Sequence, residues 1–285
     1  MNEKKTIGEI MQCEFATAKT WLRSVIISQW ILIIIASIAI ITNKGSHIIV
    51  VFATFIGPLL VLLFKEIGNH YYQKGEKIRR LFLLQQGLGV EPSETELFNL
   101  YAYAADKETT EPKPIGNYYG SNYTAGFPKL VHNLQESAFW TAAQARLAMF
   151  VHYGLGSLGI LISILLAIFW VYKGGGYANA DHAKLFATLL LFFVAQTEIP
   201  IARSFQSLSK TANDVVTTTS YLRKKKEIDC VDVIKIISTY DSALAKALPL
   251  PGYTYKFLQE KLNNAWDAAQ KKETTDTESK EKWSK

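Results

Sequence analysis

Groups that carry out chemistry are scarce in this chain. Two cysteines, Cys13 and Cys230, occur in 285 residues, with no companion histidines. They make neither a disulfide framework nor a metal site. The five histidines, His47, His70, His132, His152 and His182, are scattered, and none is paired at metal-ligand spacing. A phosphate-binding Walker loop, a dinucleotide glycine motif, HExxH and GxSxG are all absent from the sequence. No catalytic residue, metal or cofactor is therefore expected, and the chain reads as a non-enzyme. The most informative absence is that of charge. Ser24–Asn43, Gly45–Phe64 and Leu147–Tyr172 contain no Asp, Glu, Lys or Arg, and Leu185–Ala202 contains only Glu198. About 20 apolar residues in a helix match a hydrocarbon core roughly 30 Å thick. Helices apolar on every face over such lengths belong in lipid rather than in a soluble core.

The expected fold class is thus an all-α membrane protein with four transmembrane helices arranged as two hairpins and a helical cytoplasmic juxtamembrane domain. Lys44 alone separates spans one and two, and the glycine-rich Lys173–Lys184 joins spans three and four. The boundaries read as an N-terminal amphipathic helix (1–23), hairpin one (24–64), a cytoplasmic helical segment (65–146), hairpin two (147–202), a cytoplasmic helical tail (203–270) and a disordered end (271–285). Basic residues set the orientation. Lys4, Lys5, Lys19 and Arg23 precede span one, Lys65, Lys74, Lys77, Arg79 and Arg80 follow span two, and Arg203 and Arg223–Lys226 follow span four. The hairpin loops offer only Lys44, Lys173 and Lys184. By the positive-inside rule both termini and the central segment are expected on the cytoplasmic side. A formal charge of +6 with mean hydropathy of +0.07 fits basic segments facing an anionic leaflet better than a nucleic-acid surface. Span one follows a charged stretch and is too long for an h-region, so it is not expected to be a cleavable signal.

Within the soluble parts, Ile7, Ile10, Met11, Phe15 and Ala18 recur at helical spacing. Glu66–Leu88 reads as a charged helix with Ile78, Leu81, Phe82 and Leu84 on its apolar face, stopped at Gly87 and Gly89. Ser93 and Glu96 form a capping box for a short helix. Pro128 suits the first turn of a helix running into span three. In the tail, helices are expected over Phe205–Lys226 and Cys230–Leu248. The two prolines of Leu248–Gly252 then force a turn before a stripe of Tyr255, Leu258, Leu262 and Trp266. One bundle is expected to bury Phe82, Leu84, Phe139, Ile236 and Tyr255 together.

Four segments resemble the SMODS-associated four-transmembrane (S-4TM) family of pore-forming effectors. MQCEFATAKTWLR (Met11–Arg23) looks like its N-terminal helix, and NYYGS (Asn117–Ser121) stands where the family has an acidic-aromatic-tyrosine-proline element. NLQESAFWTAAQAR (Asn133–Arg146) is similar to its glutamine-to-tryptophan-to-arginine helix, and LPLPGYTYKFLQEKLN (Leu248–Asn263) to the proline-tyrosine-lysine element of its tail. Asn117, Gly120, Ala138 and Ala145 depart from the family pattern. The resemblance implies a bacterial anti-phage effector that disrupts its own cell's inner membrane when a nucleotide second messenger or a partner triggers it.

For a trigger such as a cyclic oligonucleotide, Tyr118, Tyr119, Lys129 and Arg146 are the candidate contacts, since aromatic rings beside fixed positive charge can stack a base and pair a phosphate. In the spans, Gly156, Gly159 and Ser163 form a small-residue face, read first as packing within one bundle and second as a seam in a homo-oligomer. Gln196 and Glu198 add polarity to span four. Glu198 is either an intramembrane functional group or an interfacial partner of Arg203. Beyond the lipid bilayer, the competing readings are a membrane scaffold that recruits cytoplasmic partners and a small transporter.

Overall fold

A computed structural model describes residues 6–42, 56–102, 119–173, 197–225 and 227–283. Among these residues the chain is all-helical, with α1 (Ile7–Thr42), α2 (Gly57–Leu88), α3 (Glu94–Ala102), α4 (Phe127–Lys173), α5 (Glu198–Leu222), α6 (Cys230–Lys246) and α7 (Gly252–Trp283). The tight loop around Lys44, Asp106–Pro114, Tyr118, Gln196 and most of span four fall outside the described residues.

Local sequence explains the helix ends. Glu9 N–H donates to Thr6 Oγ1 at 3.3 Å while Thr6 N–H donates back to Glu9 Oε2 at 2.6 Å, a reciprocal capping box that starts α1. Ser93 and Glu96 make the expected box for α3, at 2.9 and 3.3 Å. Asp229 caps α6 by accepting from Val231 N–H at 3.0 Å. Gly89, at φ 71°, closes α2 in the left-handed conformation and returns its N–H to Gln85 O.

Two helix pairs dominate the packing, α1 with α2 and α4 with α5, and thinner contacts of α2 with α4 join them. Glycines on α2 let α1 approach closely. A Cβ on Gly57 would meet Leu32, one on Gly68 would lie 3.2 Å from Leu22, and one on Gly75 would lie 2.9 Å from the Phe15 ring. In the second pair, Ala138, Ala142, Ala145 and Ala148 of α4 and Ala202 and Ala212 of α5 are all buried, and Ser209 Oγ donates to Ala142 O at 3.0 Å. Across the pairs runs a core that includes Ile10, Leu83, Leu130, Leu134, Phe205 and Tyr240.

Of the residues expected to be buried together, Phe82 and Ile236 are in this core and Leu84 packs at its edge. Phe139 is half-buried against Trp266, with ring centroids 5.3 Å apart. Tyr255 stays 46% exposed and stacks on Trp140 instead. The tail differs from the sequence reading, because α7 continues as helix to Trp283 where disorder was expected from Lys271. Strong helix formers and the Asp276/Lys280 and Glu278/Lys282 sequence spacings favour helix there.

Among the described residues, α4 is long and apolar enough to cross a membrane, over Phe127–Leu165. Only 17% of its most apolar window is buried inside the protein, which a soluble core helix would not tolerate. Phe150, Leu158, Leu161, Ile164 and Ile168 all face outward. The α1 side chains Ile27, Trp30, Ile31 and Ile34, and Leu59, Leu62 and Leu63 of α2, are exposed in the same way.

Candidate functional site

Below these apolar stretches the two pairs part around a cavity of about 480 Å³. Phe15 and Lys19 of α1 and Tyr72, Glu76 and Arg79 of α2 form one side. Glu136, Trp140 and Gln144 of α4 face them, while Leu250 and Tyr255, Asn263 and Trp266 of α7 close the rest. Of these helices, α1 and α4 supply their walls from the segments immediately adjoining their apolar stretches.

Arg79 is the electrostatic hub. Its Nε donates to Glu76 at 2.7 Å, Nη2 to Asp241 at 3.1 Å and Nη1 to Ser137 at 3.5 Å, and its guanidinium lies 5.2 Å from the Tyr240 ring centroid. Burial alone would lower its pKa, but the Glu76 carboxylate and the Tyr240 and Tyr119 oxygens outweigh that and hold it well above the usual value. Arg80 also reaches Asp241, at 2.6 Å. Burial still pushes the Asp241 carboxyl up, against the pull of both guanidiniums. Tyr240 completes the hub by donating its hydroxyl to Thr141 at 2.7 Å.

Lys19 contrasts with Arg79. Burial, then the neighbouring Arg23 charge, lowers its pKa. Among the described residues no carboxylate pairs with it, whereas Lys74 reaches the fully buried Glu14 at 2.7 Å. Across the cavity, burial raises the Glu136 carboxyl, partly offset by the Gly120 N–H it accepts at 3.0 Å.

The nucleotide contacts expected from sequence do not converge among the described residues. Tyr119 lines the cavity but is buried, with its ring 6.4 Å from Phe82. Lys129 is half-buried in the first turn of α4, and Arg146 is exposed with its guanidinium 6.0 Å from the Phe150 ring. At 1.5 Å per residue they stand about 25 Å apart on one helix. Tyr118 lies outside the described residues. Gln135, conspicuous in the α4 sequence, instead ties α4 to α5, donating to Ser220 and accepting from Arg223 at 2.7 Å.

In the apolar part of α4, Gly156 and Ser163 are buried and Gly159 is half-buried, and Ser163 Oγ donates to its own helix at Gly159 O, 2.7 Å away. Glu198 does not pair with Arg203, which is exposed. It meets His152 Nδ1 at 2.8 Å, and the His152 ring stands 5.7 Å from Phe205. Sequence spacing hid this pair because its members are 46 residues apart. Lys19 and Arg79 were legible only as juxtamembrane charge, since nothing local distinguishes a cation aimed at a cavity from one aimed at lipid headgroups. No cluster of three or more His, Cys, Asp or Glu among the described residues is placed to hold a metal ion. No family model, curated protein or solved structure matches the chain.

Proposed function

We propose that the protein is a four-span inner-membrane effector of the SMODS-associated four-transmembrane kind, with both termini in the cytoplasm, that permeabilises the membrane when its cytoplasmic bundle is engaged. The observation that carries this reading is helix continuity. Phe15 and Lys19 share α1 with the outward-facing Ile27 and Ile31, and Trp140 and Gln144 share α4 with Leu158 and Leu161. An unbroken helix transmits a tilt along its whole length. Filling or emptying the cavity between the pairs therefore acts directly on the spacing of the spans above it. The close packing within each pair and the thinner seam between them make the seam the compliant part.

Four helices in one subunit do not enclose a wide aqueous lumen, so conduction runs through a homo-oligomer. Induced expression in bacteria with a membrane-potential dye is the test. Depolarisation in the parent is expected, and an intact potential at full membrane insertion would favour a scaffold that recruits partners. Alkaline-phosphatase fusions at Lys285 should be inactive, and an active fusion there would overturn the topology.

A further inference from the structure

We infer that the cavity is a phosphoryl-group site with Lys19 as its cationic anchor and the rings of Trp140 and Tyr255 as its walls. Charge accounting singles out Lys19. The other cation on the lining, Arg79, is already ion-paired with both Glu76 and Asp241, so its charge is compensated within the protein. Lys19 lines the same space with no hydrogen-bond or ion-pair partner among the described residues. Arg23, one helical turn further along α1, repels it and leaves the two cations short of negative charge. Gly252, the first residue of α7, has its Cβ position 4.0 Å from an Arg23 terminal nitrogen, which places this second cation beside the end of α7 that closes the cavity. A ligand oxyanion would relieve both the burial of the ammonium and this repulsion.

The opposite wall suits a flat or greasy neighbour to that anion. Trp140 and Tyr255 lie with centroids 5.7 Å apart at 35°, and Trp266 adjoins them on the lining. Glu136 also faces the space, and burial raises its carboxyl pKa, which lessens its repulsion of a phosphate oxygen. Lys19 precedes the first uncharged stretch by five residues, about 7.5 Å of helix. That depth is reached both by a lipid headgroup phosphate from the bilayer and by a soluble aromatic phosphate from the cytoplasm. The shared chemistry is the phosphoryl group. That its occupancy triggers permeabilisation rests on the function proposed above.

The full chain, purified and reconstituted in nanodiscs, can be titrated with N-methylanthraniloyl-ATP, while native mass spectrometry counts phosphatidylglycerol retained by the same protein. Lys19→Gln should weaken the phosphate probe that binds by about tenfold or more, the scale of one charge-assisted hydrogen bond. Lys19→Arg should retain most of the affinity. Glu136→Gln should hold or tighten binding, a change that misfolding would not produce. If the nucleotide binds, the source is soluble, and if only the lipid is retained in a Lys19-dependent way, the source is the bilayer. Binding of both probes to Lys19→Gln at parental strength would overturn the assignment, as would absence of both from the parent. Lys19-dependent binding in a protein that never depolarises cells would leave the site standing and remove the effector function. Depolarisation with Lys19-independent binding would do the reverse.

Discussion

The His152–Glu198 pair offers a quantitative test of how the two helices of the second pair are held together. The side chains are 11% and 14% exposed, and their 2.8 Å contact joins α4 to the start of α5 within a largely apolar environment. Exposure decides the scale. A solvated pair would contribute about 0–1 kcal/mol, whereas a buried group that loses its partner costs about 1–3 kcal/mol. Glu198→Leu leaves the imidazole without its acceptor, and His152→Leu leaves the carboxyl without its donor, so each single change should fall in the second range. Removing both should cost less than the sum, because neither polar group is then stranded, and the coupling should be of order 1–3 kcal/mol. In a chain of this size 1 kcal/mol corresponds to roughly 2 °C in melting temperature. The singles should therefore melt about 2–6 °C below the parent, with the double mutant at or above the less stable single. Thermal unfolding in detergent, followed by tryptophan fluorescence, measures all four proteins. Strict additivity would show that the pair is not coupled and would refute the account of the site. In cells, Glu198→Leu should also reduce depolarisation while leaving insertion intact, since it does not lower the hydrophobicity of the segment.

Gly87→Ala should destabilise the protein by about 1–2 kcal/mol. Its Cβ would lie 2.9 Å from Leu130 Cα, backbone that cannot rotate away, and an overpacking cost of about 1–3 kcal/mol outweighs the gain of at most about 1 kcal/mol from helix propensity. Thermal melting checks it, and an unchanged melting temperature would contradict the close approach of α2 to α4. Arg79→Met should cost about 3 kcal/mol, the low end for a broken buried pair, because Arg80 remains to accompany Asp241. Denaturation alongside Arg80→Met separates the two guanidiniums, since Arg80 is half exposed and should cost under about 1 kcal/mol. Phosphate binding should weaken as pH rises, with a midpoint below the ordinary lysine range, because burial and Arg23 lower the Lys19 pKa. Protein stability should move the other way over that window, as the unfolded chain then holds the Lys19 proton more tightly than the folded one.

What sequence conveyed depended on the range of the interaction. Ser93 and Glu96, Pro128, Gly89 and the two prolines before Gly252 act within a few residues, and the helices they delimit are the helices observed. The buried face of α1 was equally legible, because Ile7, Ile10, Met11 and Ala18 follow the helix period. On α2 the period was right but the register slipped. Leu83 is fully buried and Leu84 only partly, because the face turns toward α4 and α6 as well as α1. Tyr119 illustrates the limit: an aromatic in a glycine-rich loop suggests a stacking surface, yet its ring is used against Phe82. The cavity was not legible at all, since its walls come from α1, α2, α4, α6, α7 and the segments between helices, and no local pattern records which cation lacks a carboxylate.

The spacing of the α2 glycines bears on how, under the proposed function, a ligand at the cavity would reach the apolar stretches and not merely its neighbours. Gly57, Gly68 and Gly75 are separated by eleven and then seven residues, both near-integral numbers of helical turns, so they lie along one face. Each receives an α1 side chain, Leu32 in the apolar stretch, Leu22 near its start and Phe15 at the cavity wall. Contacts this tight from end to end leave α1 and α2 little freedom to slide or splay, so the pair moves as one body. The alanine seam of α4 and α5 gives the second pair the same character over its buried length. Rigid pairs on either side of a cavity have one soft coordinate, the angle between them. A ligand that prefers one angle by about 5.5 kcal/mol is sufficient to convert a 1:99 population into 99:1. Filling the Gly75 contact, as in Gly75→Ala, would displace Phe15 from α2 and loosen the lever at its cavity end. Ligand binding and depolarisation should then become uncoupled, binding persisting while the dye response weakens. Loss of both together would instead mean that the cavity itself had collapsed.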